Sequence, residues 1–352
     1  MVSSSPIPMH KLFTITKLTF QRNKIKPGNI LIILFGGDIG RVFRYKNEDR
    51  LPSGLGKVTI LRPDLIDEEY LYQLLHSPRY ALTWDRNKAV HSTTIDHSFL
   101  DHETIILPQL SKQKEIVHLF QKAERLLKMR RNSNSLLQQA LNAVFVSCFG
   151  DPVQNPKGFE LIALGDIVTI NPSKKGISDR NDLLVPYVKM EDLFSEGVSL
   201  SEYRKVRDMR EGSYSYFANG DVLFPKISPS LENGKGCVIA GLEHDIGFGS
   251  SEFVVLRPIS NVTHAYWIHR LLSLPSSRRW AAQFLSGSAG RRRISVAFLK
   301  SWKVPLPPFE LQREFSTVAH SLNAIRLKQT IAHKQLVQLI DLAQNNLFID
   351  LI

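Results

Sequence analysis

Three consecutive arginines, Arg291, Arg292 and Arg293, follow the small-residue run Ser286-Gly287-Ser288-Ala289-Gly290. A flexible loop of this composition lets guanidinium groups and loop amides approach phosphate oxygens closely. Lys226 and Lys235 flank a glycine-rich hairpin that contains Asn233-Gly234-Lys235-Gly236. They offer the same chemistry, a phosphate contact or a hydrogen bond to guanine. Lys189 follows Tyr187 on a strand-like run, where stacking or a phosphate contact is available. Arg41, Arg44, Lys57 and Lys88 hold comparable places in the first third of the chain. The plainer alternative for the arginine run is a solvated basic turn. Lys128, Arg130 and Arg131 sit in the middle of a helix, and Arg130 reads as structural.

Catalytic constellations are poor by comparison. Leu306-Pro307-Pro308-Phe309 has the outline of an Asn/Asp-Pro-Pro-aromatic element, but that element holds an amine through a side-chain acceptor, which Leu306 lacks. Gly54-Leu55-Gly56-Lys57-Val58 has neither the spacing nor the Ser/Thr of a phosphate-binding loop, and Gly36-Gly37-Asp38-Ile39-Gly40 is not a dinucleotide fingerprint. The histidines show no metal-ligand spacing, and the two cysteines, Cys148 and Cys237, suggest neither a zinc site nor a disulfide framework. No metal or catalytic residue is expected. The longest strongly apolar run, Ile30 to Phe35, is too short to span a bilayer, and Met1 to Lys17 lacks a signal-peptide core, so a cytoplasmic location is expected. A net charge of +12 and a pI near 9.6 favour a polyanionic partner. The surplus falls on both halves of the chain and on the first long helix, while the segment after residue 305 is neutral.

The elements that must position these residues occur twice. Gly28-Asn29-Ile30-Leu31 recurs as Gly220-Asp221-Val222-Leu223, Ile60-Leu61-Arg62-Pro63 as Val255-Leu256-Arg257-Pro258, and Leu107-Pro108-Gln109-Leu110 as Leu306-Pro307-Pro308-Phe309. A period near two hundred residues is too long for a solenoid and implies two homologous half-proteins, which a pseudo-twofold axis would relate. A chain with two similar reading heads suits a ligand with two sites, of which duplex DNA is the obvious one. The first copy has no counterpart of roughly residues 155–195, so it starts part-way through the repeat.

Each copy ends in a long periodic stretch. Residues 111–147 form one helix, with Ser111 as N-cap and Gly150-Asp151-Pro152 at its end. Its heptad seam runs through Phe120, Leu127, Arg130, Asn134, Leu137 and Leu141, and the second helix repeats the pattern through Phe315, Leu322, Gln329, His333, Leu336 and Ile340. Both seams are apolar at the ends and polar in the centre. A pseudo-twofold duplication selects antiparallel pairing, which matches the polar centres. At 1.5 Å per residue, about 36 residues make a rod of roughly 54 Å, suited to act as a spacer. His333 belongs to the polar layer.

The rest reads as β-rich. Strands are expected at Ile30–Phe35, Val42–Tyr45, Lys57–Leu61, Leu164–Val168, Val185–Lys189, Gly220–Phe224 and Glu252–Leu256, with helices at Asp67–Tyr80 and about Ala265–Phe284. The predicted class is α+β, with four segments: 1–107, a first β-rich domain; 108–150, a spacer helix and linker; 151–305, a second β-rich domain; and 306–352, a C-terminal spacer helix. The two domains are held apart by two long antiparallel coiled-coil-like helices.

In their order, twice over, these motifs resemble a specificity subunit of a type I restriction-modification system. The resemblance rests on Leu164-Gly165-Asp166-Ile167 opening a domain, Val185-Pro186-Tyr187-Val188-Lys189, Asn219-Gly220-Asp221-Val222-Leu223, the Ser-Gly-Ser-Ala-Gly loop with its arginines, Val304-Pro305-Leu306-Pro307-Pro308, and Asp151-Pro152-Val153-Gln154-Asn155-Pro156-Lys157-Gly158 after a long helix. It covers nearly the whole chain from about residue 17. It implies two target recognition domains that read a split sequence in double-stranded DNA, and long helices that dock DNA methyltransferase subunits. It also implies a non-catalytic role, with no cofactor in this chain. S-adenosylmethionine would belong to the methyltransferase partners, and ATP with magnesium to a restriction/translocase subunit. The first domain departs from the pattern in lacking some 40 to 50 N-terminal residues. A truncated scaffold or decoy, which binds methyltransferase subunits without specifying DNA, is therefore the alternative.

Overall fold

The structure, a computed structural model, describes residues 9–11, 16–19, 25–34, 38–46, 55–77, 104–194, 197–211, 213–288 and 292–349. Gly36-Gly37, Gly54, the end of the predicted helix at Tyr80, Lys88 and Arg291 lie outside the described residues. The chain divides into two compact units, Met1–Arg131 with Ala332–Ile352, and Asn132–Ile331. The segments read from sequence set the long helices apart from the domains. The two units instead share them, each taking part of the helix Leu110–Phe149 and part of the helix Phe309–Ile349.

The first unit holds an antiparallel sheet in the order Thr16–Thr19, Leu55–Ile60, Ile30–Ile33, Val42–Arg44. Ile30–Ile33 is apolar at every position because both its faces are covered. Ile30 and Ile32 pack with Tyr70, Leu71 and Leu74 of the helix Glu68–His76, whereas Leu31 and Ile33 pack with Leu55 on the other face. The helix starts where Asp67 accepts hydrogen bonds from the backbone N–H groups of Glu69 and Tyr70. Its core continues into Ile116, Val117 and Phe120 of the first long helix, with Ile340 and Ala343 of the second against it.

The second unit repeats this plan and enlarges it. Val222–Pro225 lies inside an antiparallel sheet ordered Cys237–Val238, Val222–Pro225, Phe253–Pro258, Val168–Ile170. Again the strand is buried on both faces, Val222 and Phe224 on one side and Leu223 on the other. Both copies therefore pair the same two motif strands. Their registers differ, for Leu31 faces Lys57 whereas Leu223 faces Val255. A second sheet, ordered Glu202–Lys205, Leu184–Val188, Gly247–Gly249, Ser215–Phe217, belongs to this unit. Glycine is required at 247, where a Cβ would overlap the Phe217 ring.

Three sequence expectations need correction. Leu164–Ile167 is a helical turn, and the strand is Val168–Ile170. The single helix expected over Ala265–Phe284 is two, Ala265–Ser273 and Pro275–Ala282. Pro275 has no N–H to continue the first, and it holds Leu274 extended at ψ 143°. The first long helix begins at Leu110, so Ser111 is inside it and is not the cap.

Within the second unit the helix segments run antiparallel. Phe145 and Phe149 meet Phe315 at ring distances of 5.3 and 5.5 Å, and further along Gln329 donates to Ser133 Oγ at 3.3 Å. Leu141 and Phe315 are buried, and Leu322 is packed against the same core. Leu137 and Leu336 are half-buried, and so are Arg130, Asn134, Gln329 and His333; Leu127 and Phe120 are buried.

A buried glutamine recurs in the two units, six residues after the leucine of each Leu-Pro dipeptide. Gln113 is fully buried in the first unit, where it accepts the N–H of Asp67 and donates to the carbonyls of Leu65 and Pro108, each at 2.8 Å. Gln312 is fully buried in the second, accepts from Thr263 Oγ1 (2.8 Å) and the N–H of His264 (3.3 Å), and donates to the carbonyls of Pro307 (2.9 Å) and Val262 (3.3 Å). Each glutamine thus ties the start of a long helix to the residue that begins the short helix of its own unit. Planar amides are suited to this because one group both donates and accepts.

Candidate nucleic-acid interface

Three separate segments of the second unit converge around Arg292 and Arg293. They are the stretch after Val222–Pro225, the turn at Ser250–Glu252, and residues 286–288 with 292–293. Backbone hydrogen bonds interlock them: Lys226 N–H to Glu252 O (3.0 Å), Ile294 N–H to Lys226 O (2.8 Å), Ser228 N–H to Arg292 O (2.9 Å), and a reciprocal pair between Ser286 and Arg293 (3.0 and 2.7 Å). Ser286, which opens the small-residue run, is therefore tied to Arg293. Lys226, which the sequence offered apart from the arginine run, comes together here with Arg292 and Arg293.

Two carboxylates that sequence reasoning missed join them. Arg293 meets Glu252 through Nε (2.9 Å) and Nη2 (2.6 Å), and Arg292 donates from Nη2 to Glu232 at 3.0 Å. The Ser228 hydroxyl donates to the other Glu232 oxygen, and Arg278 donates to the Glu232 carbonyl. The Glu252 carboxyl is held below the usual range, chiefly by its hydrogen bonds from Arg293. Arg278 is shifted down by its own burial and then by Arg279. Its guanidinium lies against Gly234, where a Cβ would come within 2.9 Å of it.

Lys189 and Lys235 occupy another neighbourhood. Lys189 forms a 2.7 Å ion pair with Glu202, and Lys235 donates to the carbonyl of Met190 at 3.1 Å. Glu202 also binds Arg204, whose guanidinium sits 3.7 Å from the Tyr187 ring centre. Hydrogen bonds from Lys189 and Arg204 lower the Glu202 carboxyl below its ordinary range.

In the first unit the candidates do not form one cluster. Arg41 pairs with Asp38 on the surface. Arg44 binds Glu68, Glu69 and the carbonyl of Gly28, and lies 5.0 Å from the Tyr72 ring, which makes it a clamp between strand and helix. Lys57 is half-buried on the strand Leu55–Ile60.

The conspicuous Gly-Asp-Val-Leu motif is scaffold. Asp221, 1% exposed, accepts the Ala218 N–H and both arms of Arg257 at 2.7 Å, which raises the Arg257 pKa. In the first copy Asn29 stands in its place, and Arg62 pairs with Asp64 instead. Among the described residues no group of side chains suits a metal ion, and no helix is long and apolar enough to cross a membrane.

Residues 10–139 match the model of the type I restriction modification DNA specificity domain. The chain is 31% identical over 195 residues to the type I restriction enzyme EcoEI specificity subunit of Escherichia coli, covering 53% of this chain and 32% of that protein. It is 29% identical over 195 residues to the EcoAI specificity subunit of the same organism, covering 53% and 33%. The matches thus span about a third of the length of these relatives. Among solved structures, the S subunit of a type I restriction-modification system from M. genitalium shares the fold, with a TM-score of 0.56 and 15% identity over 97% of this chain and 96% of that one.

Proposed function

We propose that this chain, whose residues 10–139 belong to the type I restriction modification DNA specificity domain family, is the DNA-recognition subunit of a type I restriction-modification complex. It reads a bipartite site in duplex DNA, one part with each unit, and docks methyltransferase and restriction/translocase subunits. The chain itself catalyses nothing. Those partners bring S-adenosylmethionine and ATP. The observation that carries the reading is the convergence of Lys226, Arg292 and Arg293 on three interlocked segments of the second unit. Rigidly presented guanidiniums are the groups most suited to reading guanine edges and binding phosphate.

The test is selection of bound duplexes from a random pool by gel shift, with and without methyltransferase subunits. Enrichment of a two-part sequence supports the reading. The second sheet has no counterpart in the first unit among the described residues, so one part of the site should be the more degenerate. That asymmetry also favours the second reading, a scaffold or decoy. Retention of methyltransferase subunits without enrichment of any sequence would establish it.

A further inference from the structure

The carboxylates among the arginines run against the simplest view of a basic loop. A loop that only neutralised phosphates would gain from guanidiniums left unpaired, because a carboxylate at contact distance cancels most of the field that a phosphate would feel. Yet Arg292 and Arg293 are each held by a carboxylate brought from another segment. The arginine side chains are 44% exposed, and Glu232 and Glu252 beneath them 31% and 25%. Arg293 is gripped along the Nε–Nη2 edge by both oxygens of Glu252, which fixes the plane of the guanidinium. Glu232 is itself fixed by the Ser228 hydroxyl, and the backbone of Glu252 is tied to Lys226.

On the reading that the chain recognises DNA, we infer that Glu232 and Glu252 are positioning residues, which hold the forks of Arg292 and Arg293 in set orientations so that they discriminate base pairs. The carboxylates give up charge attraction to any duplex. In exchange they remove the rotamer freedom that an arginine would otherwise lose on binding. They also oppose phosphate contacts that carry no sequence information. A long, unpaired arginine follows the nearest phosphate. A planar fork held from beneath is suited to the bidentate geometry of a guanine edge.

The experiment uses the full chain, a duplex selected by it from a random pool, and a scrambled duplex, with affinities measured across a range of salt. Glu252→Gln and Glu232→Gln should bind the scrambled duplex more tightly. Their salt dependence should steepen by about one phosphate contact for each arginine released. The ratio of selected to scrambled affinity should fall by about tenfold. Arg293→Lys keeps the charge and removes the fork. It should lower the ratio similarly and leave the salt dependence unchanged, and it carries the test alone if a glutamine variant melts early. Ratios within twofold of the unaltered chain in all three variants would overturn the inference, as would equal weakening on both duplexes, which would make the pairs loop fasteners only. A chain that selects no duplex at all overturns the DNA reading itself.

Discussion

Replacing Gln312 with leucine should be among the most damaging single changes available in the second unit. The side chain is fully buried and serves four polar groups: the Thr263 hydroxyl, the His264 N–H, and the carbonyls of Val262 and Pro307. Leucine fills nearly the same volume and satisfies none of them. Each buried group left without a partner costs about 1–3 kcal/mol. The four lie in one network, so their losses do not add fully. Apolar burial of the new side chain returns about 1–2 kcal/mol. The net loss should be about 3–5 kcal/mol, a large part of the roughly 5–15 kcal/mol that holds a domain folded. Urea unfolding followed by tryptophan emission reads the change directly, since Trp267, Trp280 and Trp302 all lie in this unit. Trp84→Phe in every variant removes the remaining signal. With a slope of about 2 kcal/mol per molar urea, the midpoint should fall by roughly 2 M. Gln139→Leu, at an exposed site on the first long helix, is the control and should move stability by less than about 0.5 kcal/mol. If Gln312→Leu shifts the midpoint no more than this control, the glutamine is not an organising contact, and the parallel drawn with Gln113 fails.

Other perturbations follow from the same geometry. Gly150 ends the first long helix at φ +77°, and a Cβ there would lie 2.6 Å from Pro156 Cγ, so Gly150→Ala should cost about 1–3 kcal/mol in the same urea assay. Asn134 Oδ1 and Gln329 Oε1 are buried without a hydrogen-bond partner among the described residues, so changing both residues to leucine should keep or raise the melting temperature. The same double change removes a polar layer that specifies pairing, and light scattering should then detect oligomers. Burial, with Arg131 and Arg130 nearby, lowers the His333 pKa, and burial with Arg313 lowers that of His264 against an opposing Glu310. The folded chain therefore binds fewer protons than the unfolded one just below the ordinary histidine value of about 6.5, so stability is whole above that pH and falls as pH drops through it. Melting temperatures between pH 7.5 and 5.5 should show this slope, and replacing both histidines with glutamine should flatten it.

The motif strands, the helix Glu68–His76 and the two long helices were legible because each rests on a local pattern. Ile30–Ile33 announced burial on both faces by being apolar throughout, and Asp67 announced a helix start by type and place. The break at Pro275 was also written in the sequence, where an apolar pattern continues past a residue that cannot donate to the preceding turn. Local competition of this kind decides boundaries, and the ring constraint on Leu274 settles it in favour of two helices. The division of each long helix between two units had no local signal. It depends on what packs against each turn.

The candidate interface shows the same limit more sharply. Residue type and loop composition pointed to Lys226, Arg292 and Arg293, and those three do meet. Neither glutamate that holds the arginines could be chosen from the chain, for Glu232 and Glu252 lie 60 and 41 residues from their partners. Conversely, Gly-Asp-Val-Leu drew notice by recurring, and its aspartate proves to be a buried strut for Arg257. Recurrence marks what both units need in order to fold. Gln113 and Gln312 recur at the same spacing from the Leu-Pro dipeptide and do structural work of that kind. If the two units read different sequences, the residues that do so should instead differ between the copies. The Arg292–Glu232 and Arg293–Glu252 pairs are therefore the place where the second unit's specificity should be sought, and the shared motifs are the frame that carries them.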